Sequence, residues 1–132
     1  MQSREARILV VDDEDIIRIG CQRILQNPGF TIDLAENGRV GWEKIQQKSY
    51  DMVLVDLMMP EMGGLEVLEK VQAHDEQIIT IIITGFATIE TAVDAMRKGA
   101  YDYLPKPFSP EELRTKIRRG LEKRWLLLEA EE

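Results

Sequence analysis

The sequence of 132 residues contains a single cysteine, Cys21, and a single histidine, His74. One cysteine excludes an internal disulfide framework and is typical of a reducing compartment, so we expect a cytoplasmic protein. The same scarcity excludes zinc sites built from several cysteines and histidines. No apolar run approaches the roughly 18 residues of a membrane-spanning helix. Residues 1–5 also lack the apolar stretch of a secretory signal, so we expect no membrane contact.

Basic residues are also fewer than acidic residues. Lys and Arg number 17 against 24 Asp and Glu, so the formal net charge is −7, and we expect no direct nucleic-acid binding. Neither a G-x-x-x-x-G-K-[ST] loop nor a G-x-G-x-x-G turn is present, so we expect no bound nucleotide. Six basic residues cluster near the end of the chain, and we interpret them as a solvated or interface face: Arg114, Lys116, Arg118, Arg119, Lys123 and Arg124.

Apolar segments alternate with segments of helical periodicity along the whole chain. Five short β-branched segments predict strands at Ala6–Val11, Thr31–Ala35, Met52–Val55, Ile78–Ile83 and Tyr101–Leu104. A helical stripe follows each strand; the fourth stripe contains Ile89, Ala92, Val93 and Met96, and the fifth contains Leu113, Ile117, Leu121, Trp125 and Leu128. This alternation predicts one doubly wound (βα)5 α/β sandwich around a parallel sheet.

Polar residues stand where four of the predicted strands end. Asp12 and Asp13 follow the first strand, Asp56 the third, Thr84 the fourth, and Lys106 comes shortly after the fifth. The carboxyl ends of parallel strands lie at one edge of a sheet, so these side chains are expected to meet there. Three carboxylates at one place repel one another, and either a bound cation or a raised pKa relieves the repulsion. Oxygen-only ligands favour Mg²⁺.

The combination favours phosphoryl-transfer chemistry. An aspartate carboxylate can attack phosphorus, while a lysine and a metal ion neutralise the transferred group and a threonine hydroxyl binds one of its oxygens. Taken singly, each residue has a plainer interpretation. Asp12 and Asp13 could cap the next helix, Asp56 could be a loop acid, Thr84 could simply end a strand, and Lys106 could be a solvated lysine. Their joint placement at four strand ends favours a site.

Three stretches resemble the receiver domain of two-component response regulators: ILVVDDE (8–14), VLVDLMMPEMGGLEVL (53–68) and IIITGFATIETAVDAMRKGAYDYLPKPF (81–108). The resemblance covers about residues 6–120. It implies a flavodoxin-like, CheY-like fold with a five-stranded parallel sheet in the order 2-1-3-4-5. It also implies a signalling domain that catalyses its own phosphorylation and dephosphorylation rather than an enzyme acting on other substrates.

The resemblance assigns roles to the residues at the strand ends. Asp56 would accept a phosphoryl group from a sensor histidine kinase. Mg²⁺ would be held by Asp12, Asp13, Asp56 and the main-chain carbonyl of Met58. Lys106 would pair with Asp56 and then with its phosphate.

The resemblance also implies a switch. Thr84 would supply the switch hydroxyl and Tyr103 the aromatic switch residue, and the Lys106–Pro107 bond would be cis. The face made by the fourth helix, fifth strand and fifth helix would change on phosphorylation.

The last helix is long, and its distal apolar residues are expected to find little of the domain to pack on: Trp125, Leu126, Leu127 and Leu128. We therefore expect a homodimer formed by that face and the last helix. The alternative is that the tail folds back on its own domain. Gly120, with its low helix propensity, is the expected place for a bend.

The run TGFATIETAVDAMRKGAYDYLPKPF (84–108) further resembles NtrC-type receivers, which precede an AAA+ ATPase and a helix-turn-helix domain in sigma-54-dependent activators. We therefore expect an N-terminal tail (1–5), a receiver domain (6–120), and an extension of the last helix (121–132) that begins an interdomain linker. The expected output is transcription activation.

Three alternative functions compete with this interpretation. The first is a stand-alone regulator that acts by protein–protein contact. The second is an Asp-nucleophile phosphatase, which needs an acid two residues after the nucleophile, where this chain has Met58. The third is a flavodoxin-like electron carrier, which needs a Ser/Thr/Gly-rich phosphate loop after the first strand, where this chain has four acidic residues, Asp12–Asp15.

Overall fold

Strands and helices alternate strictly through residues 5–130, the part of the chain that the computed structural model describes. The five strands are β1 (Ala6–Val11), β2 (Phe30–Ala35), β3 (Met52–Asp56), β4 (Ile79–Thr84) and β5 (Asp102–Pro105). The five helices are α1 (Asp15–Ile24), α2 (Gly38–Gln47), α3 (Gly64–His74), α4 (Ile89–Arg97) and α5 (Pro110–Ala130). Residues 1–4 of the predicted tail and 131–132 of the predicted extension lie outside the described residues.

The sheet confirms the predicted topology. All four strand pairings are parallel, and the strand order is β2-β1-β3-β4-β5. Every residue of β3 and β4 is buried, which explains their nearly continuous runs of Val, Ile and Leu. Strand β1 is followed by β2, which lies on one side of it, whereas β3, on the other side of β1, is followed by β4, which lies still farther away. The loops after β1 and β3 therefore diverge. This divergence opens a crevice at the carboxyl edge of the sheet.

Successive residues of each strand point to opposite faces, and helices cover both. Leu9, Val53 and Ile82 pack on one side with buried residues of α2, α3 and α4. Ile8 and Leu54 pack on the other side with buried residues of α1 and α5. The buried Cys21 belongs to this second core, as its place in the apolar stripe of α1 predicts. Burial raises the pKa of its thiol to about 12, so the thiolate is disfavoured at neutral pH.

Helix caps fix where the elements around the site begin and end. Ser109 and Glu112 form a capping box at the start of α5, since the Glu112 amide donates to the Ser109 hydroxyl and the Ser109 amide to the Glu112 carboxylate. Gly99 follows α4 with a φ of 105°, in the left-handed region that favours glycine. Thr88 and Thr91 form a second capping box at the start of α4, which the sequence pattern did not predict.

The apolar stripe of α4 does not face the core. Ile89 is 84% exposed, and Val93 and Met96 are 43% and 47% exposed, while Ala95 is the buried residue of this helix. Ile16 at the start of α1 is equally exposed, at 84%. Helical periodicity identified the stripe of α4, but its large apolar side chains Ile89, Val93 and Met96 face away from the domain.

Helix α5 continues to Ala130 without a break at Gly120. Gly120 packs directly on the core. The approach is so close that a Cβ placed there would overlap Cε of Met52. The interpretation of Arg124 as a solvated basic residue is wrong. Its guanidinium is buried and pairs with Asp51 at 3.2 Å and Asp75 at 3.9 Å, which ties the helix to the amino edge of the sheet.

The distal apolar residues of α5 divide into two groups. Trp125 and Leu127 pack against the core cluster, whereas Leu126 is 64% exposed. The expectation that the distal segment would find little of the domain to pack on is therefore correct for Leu126 and wrong for Trp125 and Leu127. None of the described helices is both long and apolar enough to cross a lipid bilayer.

Candidate functional site

Three carboxylates meet at the crevice between β1 and β3. Asp12 directly follows β1 and is fully buried. Its amide donates to the carbonyl of Ala35, which extends the β1–β2 ladder by one residue. Asp13 is exposed, and Asp56 is the last residue of β3, with 5% of its surface exposed. Carboxylate oxygens of the three residues lie within 4.8 Å of one another. The structure thus brings together the three acids that the sequence placed at one sheet edge.

Lys106 reaches this group from the end of β5. Its amide donates to the carbonyl of Thr84 at 2.8 Å, which holds the segment beside β4, and the Lys106–Pro107 bond is cis as expected. The ammonium group lies 2.9 Å from Oδ2 of Asp12 and 3.3 Å from Oδ2 of Asp56. It also lies 2.8 Å from Oε2 of Glu14, a contact that the sequence pattern did not predict. Three carboxylates therefore share one ammonium group.

The charges perturb the ionisation of both partners. Burial, followed by the negative charge of Asp12, raises the pKa of the Asp56 carboxyl to about 6, although Lys106 and the Met58 amide act in the opposite direction. The pKa of Lys106 is also raised: burial acts to lower it, but the carboxylates of Glu14, Asp12 and Asp56 outweigh burial. The site therefore holds a charged lysine beside an aspartate that ionises close to neutral pH.

The donor set fits a small hard cation. Asp12, Asp13 and Asp56 offer only carboxylate oxygens, and two of the three carboxylates are buried with a single ammonium group between them. Mg²⁺ prefers oxygen ligands of this kind and retains several waters, for which the exposed Asp13 side leaves access. The Met58 amide donates to Oδ1 of Asp56 at 3.3 Å, while metal binding by the Met58 carbonyl stays a prediction.

The hydroxyl groups of Thr84 and Tyr103 form hydrogen bonds with different partners. Thr84 is the last residue of β4 and fully buried, and its hydroxyl accepts a hydrogen bond from the Phe86 amide at 2.9 Å. Tyr103 is half-buried in β5, with its hydroxyl 2.7 Å from Oγ1 of Thr91. Thr91 is the residue that closes the capping box of α4. The tyrosine is thus connected to the first turn of α4, and coupling between Thr84 and Tyr103 stays a prediction.

Sequence reasoning missed Glu14, Thr91 and Gly64. Glu14 was hidden because an acid before a helix is normally interpreted as a cap. Thr91 was hidden because it is a threonine at the position where the usual Ser/Thr-x-x-Glu pattern has a glutamate. Gly64 begins α3 so close to β3 that a Cβ there would overlap the carbonyl oxygen of Asp56. The pair Gly63–Gly64, eight residues after Asp56, was the only signal of that contact.

Comparisons with known proteins agree with this geometry. The signature of the response regulator receiver domain matches residues 8–118. Regulatory protein AtoC of Escherichia coli is 40% identical over 116 residues, which cover 88% of this chain and 25% of AtoC. Transcriptional regulatory protein ZraR of Klebsiella oxytoca is 36% identical over 121 residues, which cover 92% of this chain and 27% of ZraR. The chain therefore spans about a quarter of the length of these two relatives.

A solved structure matches nearly end to end. The beryllofluoride-activated NtrC4 receiver domain dimer superposes with a TM-score of 0.84 at 34% identity, over 89% of this chain and 98% of that chain. That protein is described as a dimer of receiver domains. The similarity to NtrC-type receivers agrees with the resemblance stated from the residues.

Proposed function

The chain belongs to the response regulator receiver domain family, whose members are signalling domains rather than classical enzymes, and from this we propose that Asp56 accepts a phosphoryl group from a sensor histidine kinase. The observation that carries the proposal is the buried Asp56 carboxylate at the end of β3, held between the Lys106 ammonium and two further carboxylates. A nucleophile, a neutralising cation and an oxygen-only metal site are together what transfer to an aspartate needs.

Each residue has a defined part in the transfer. Oδ1 of Asp56 accepts from the Met58 amide and Oδ2 accepts from Lys106, so the carboxylate is fixed in orientation. A carboxylate oxygen forms the new bond to phosphorus while the bond from phosphorus to the donor nitrogen breaks and that nitrogen takes a proton. Lys106 then pairs with the phosphoryl oxygens. Mg²⁺ bound by Asp12, Asp13, Asp56 and the Met58 carbonyl would neutralise negative charge on the transferred group.

The response is proposed to travel through Thr84 and Tyr103 to α4. The Thr84 hydroxyl, now held by the Phe86 amide, would turn toward the phosphoryl group, and the Tyr103 ring would move into the space it leaves. Such a movement breaks the bond between the Tyr103 hydroxyl and Thr91 in the α4 capping box. A ligand that favours one of two arrangements in this way shifts an existing equilibrium.

The output surface is proposed to be the face of α4, β5 and α5, acting in a homodimer. Three exposed apolar residues on α4, Ile89, Val93 and Met96, form a patch next to the tyrosine switch, and exposed apolar patches commonly mark interfaces. The exposed Leu126 is the apolar residue that the last helix contributes, and it lies on the side of α5 that lines a groove with Ile24 and Phe30. The NtrC4 receiver domain dimer supports a homodimer by similarity, and the choice of face rests on the exposed apolar residues of α4.

The organisation of the whole protein is also proposed by similarity. ZraR is named a transcriptional regulatory protein, and this chain corresponds to about a quarter of it. We place a transcription-activating domain after the receiver domain, with 121–132 as the start of the linker to it. A stand-alone regulator acting through protein contacts remains the second candidate, favoured by the closely packed Trp125 and Leu127. A cytoplasmic location agrees with the buried reduced thiol of Cys21.

Intact mass spectrometry after incubation with acetyl phosphate and Mg²⁺ tests the phosphoryl acceptor. The natural sequence is expected to gain one phosphoryl group, and Asp56→Asn is expected to gain none. Asp94→Asn, an exposed acid on α4, is the matched control and is expected to behave like the natural sequence. Equal gain by Asp56→Asn and the natural sequence would contradict the proposal.

A further inference from the structure

We propose that Glu14 is a positioning residue that competes with Asp56 for the Lys106 ammonium and thereby slows phosphoryl transfer, an inference that rests on the proposed function of Asp56. The distance from the ammonium to Oε2 of Glu14 is 2.8 Å, against 2.9 Å to Asp12 and 3.3 Å to Asp56. Lys106 has only 12% of its side chain exposed, whereas Glu14 has 61% exposed, so Glu14 draws the ammonium toward solvent.

The backbone of Glu14 is fixed, and its side chain has no other structural task among the described residues. The Glu14 amide donates to Oδ1 of Asp12 at 2.9 Å, which holds the start of α1 against the site. Glu14 occupies the N-cap position of α1, yet its carboxylate makes no capping hydrogen bond. A glutamate at this position is therefore not explained by helix capping, and its carboxylate is directed to Lys106 instead.

Lys106 has three N–H donors, and each phosphoryl oxygen on Asp56 would compete with Glu14 for them. The lysine must loosen the Glu14 contact before it can neutralise the transferred group. An ion pair with one exposed and one mostly buried partner lies in the upper part of the range for exposed pairs, at about 0.4–1 kcal/mol, which corresponds to a change in rate of about two- to fivefold. Removing the contact is therefore expected to accelerate phosphorylation by about that factor.

The test compares three variants in the acetyl phosphate reaction. Glu14→Gln removes the charge at constant size, and Glu14→Asp keeps the charge on a side chain too short to reach Lys106. Asp15→Asn is the matched control, because Asp15 is the adjacent acid, 78% exposed, and pairs with Arg18 instead of Lys106. Both Glu14 variants are expected to react about two- to fivefold faster, with Asp15→Asn unchanged.

Two outcomes would overturn the proposal. If Glu14→Asp reacts like the natural sequence, simple repulsion of the donor by the charge explains the effect. If Asp15→Asn accelerates as much as Glu14→Gln, any acid in this loop has the same influence. High salt should shrink the effect of Glu14→Gln only modestly, because the Lys106 side chain is mostly buried.

A second readout needs neither metal nor donor. In the metal-free protein, NMR detection of the Lys106 ammonium protons should show faster exchange with water in Glu14→Gln and Glu14→Asp than in Asp15→Asn. Unchanged exchange in both Glu14 variants would overturn the positioning role, whatever happens to phosphorylation. Failure of every variant, the natural sequence included, to gain a phosphoryl group would instead reject the proposed function of Asp56.

Discussion

Asp56 illustrates how position in the fold changes the chemistry of one residue. The same carboxyl that ionises near pH 3.8 in an exposed chain does so at about pH 6 here, because it is buried and faces Asp12. A carboxyl whose ionised form is disfavoured by burial and by a neighbouring carboxylate, and is favoured by a bound cation, suits a nucleophile whose reaction depends on metal.

This raised pKa predicts a pH-dependent stability in the metal-free protein. Between its unfolded and folded pKa values, Asp56 binds its proton more tightly in the folded state. The stability of the fold therefore falls as the pH rises from about 3.8 to about 6, and the loss is complete above that range. Asp56→Asn should be more stable than the natural sequence by about 1–3 kcal/mol at pH 7, and the difference should fall toward zero near pH 4. Urea unfolding in the presence of EDTA measures it.

The exposed Asp94→Asn serves as the control and should change stability little at either pH. A stability difference for Asp56→Asn that is the same at pH 4 and pH 7 would show that burial of the charge is not the cause. A difference of the opposite sign would show that Lys106 outweighs burial at this site.

The residues of the site were predictable in part. Asp12, Asp56 and Lys106 could be identified because the carboxyl ends of parallel strands lie at one edge of the sheet. The alternation of strands and helices along the chain already predicts that the strands are parallel. Glu14 and Arg124 could not, since their roles depend on which distant side chains come near them. Sequence patterns describe the neighbours of a residue along the chain, and both of these partners lie far away: Lys106 from Glu14, and Asp51 from Arg124.

At the scale of the elements, α4 is the segment best placed to respond. Its first turn is closed by the Thr88–Thr91 capping box, and the second hydroxyl of that box bonds Tyr103. The outward-facing Ile89, Val93 and Met96 mean that the helix has few packing contacts to hold it in place. Periodicity could predict the stripe of α4 but not its direction, because a stripe indicates an apolar neighbour without specifying whether that neighbour belongs to the same domain.

Removing the Thr91 hydroxyl should loosen the start of α4. Thr91→Val deletes the bond to Tyr103 and one half of the capping box, a loss of about 1 kcal/mol. Amide hydrogen exchange of residues 89–93, followed by mass spectrometry, should accelerate about fivefold. Tyr103→Phe removes only the bond to Thr91 and should accelerate the same amides less. Unchanged exchange in both variants would refute the connection between Tyr103 and α4.

A pair of helical glycines tests how α5 packs on the sheet. Gly20 in α1 has open space at its Cβ position, whereas a Cβ on Gly120 would overlap Met52 and stand 3.0 Å from Ile79. Gly20→Ala should stabilise the protein by about 1 kcal/mol through helix propensity alone. Gly120→Ala gains the same propensity but must displace buried Met52, so we expect it to be less stable than Gly20→Ala by at least about 1 kcal/mol.

Thermal or urea unfolding of both glycine variants provides the comparison. Equal stabilisation by the two substitutions would mean that α5 does not approach β3 as closely as described. No sequence pattern indicated this contact, and the expectation of a bend at Gly120 reflected only its low helix propensity. Tertiary packing, rather than local flexibility, accounts for a glycine at this position.

At the scale of the whole molecule, the candidate site and the ion pair that anchors α5 lie at opposite edges of the sheet. Asp56 ends β3 at the carboxyl edge, while Asp51 precedes β3 at the amino edge and receives Arg124 of α5. The long helix is thus anchored on the domain before it leaves toward residue 130. The fold class was predictable because strand and helix patterns alternate along the chain and parallel crossovers leave few arrangements. The strand order came from the resemblance to receiver domains.

The proposed homodimer predicts a specific pattern of self-association. Sedimentation at tens of micromolar should show a dimer in at least one of the two states, phosphorylated or not. Ile89→Asp and Met96→Asp on α4 should weaken it, because each places a charge on an exposed apolar position of the proposed face. Ile16→Asp on α1 is the matched control, equally exposed but outside that face. A monomer in both states, or weakening only by Ile16→Asp, would reject the interface.

The central claim, that Asp56 is the phosphoryl acceptor, is tested most directly by locating the modified residue. Borohydride reduces an aspartyl phosphate to homoserine, which tandem mass spectrometry can assign to a single position after proteolysis. After acetyl phosphate and Mg²⁺, homoserine is expected at position 56 and absent when Mg²⁺ is replaced by EDTA. Homoserine at Asp12 or Asp13 instead, or none at position 56 in a sample whose intact mass shows phosphorylation, would contradict the assignment.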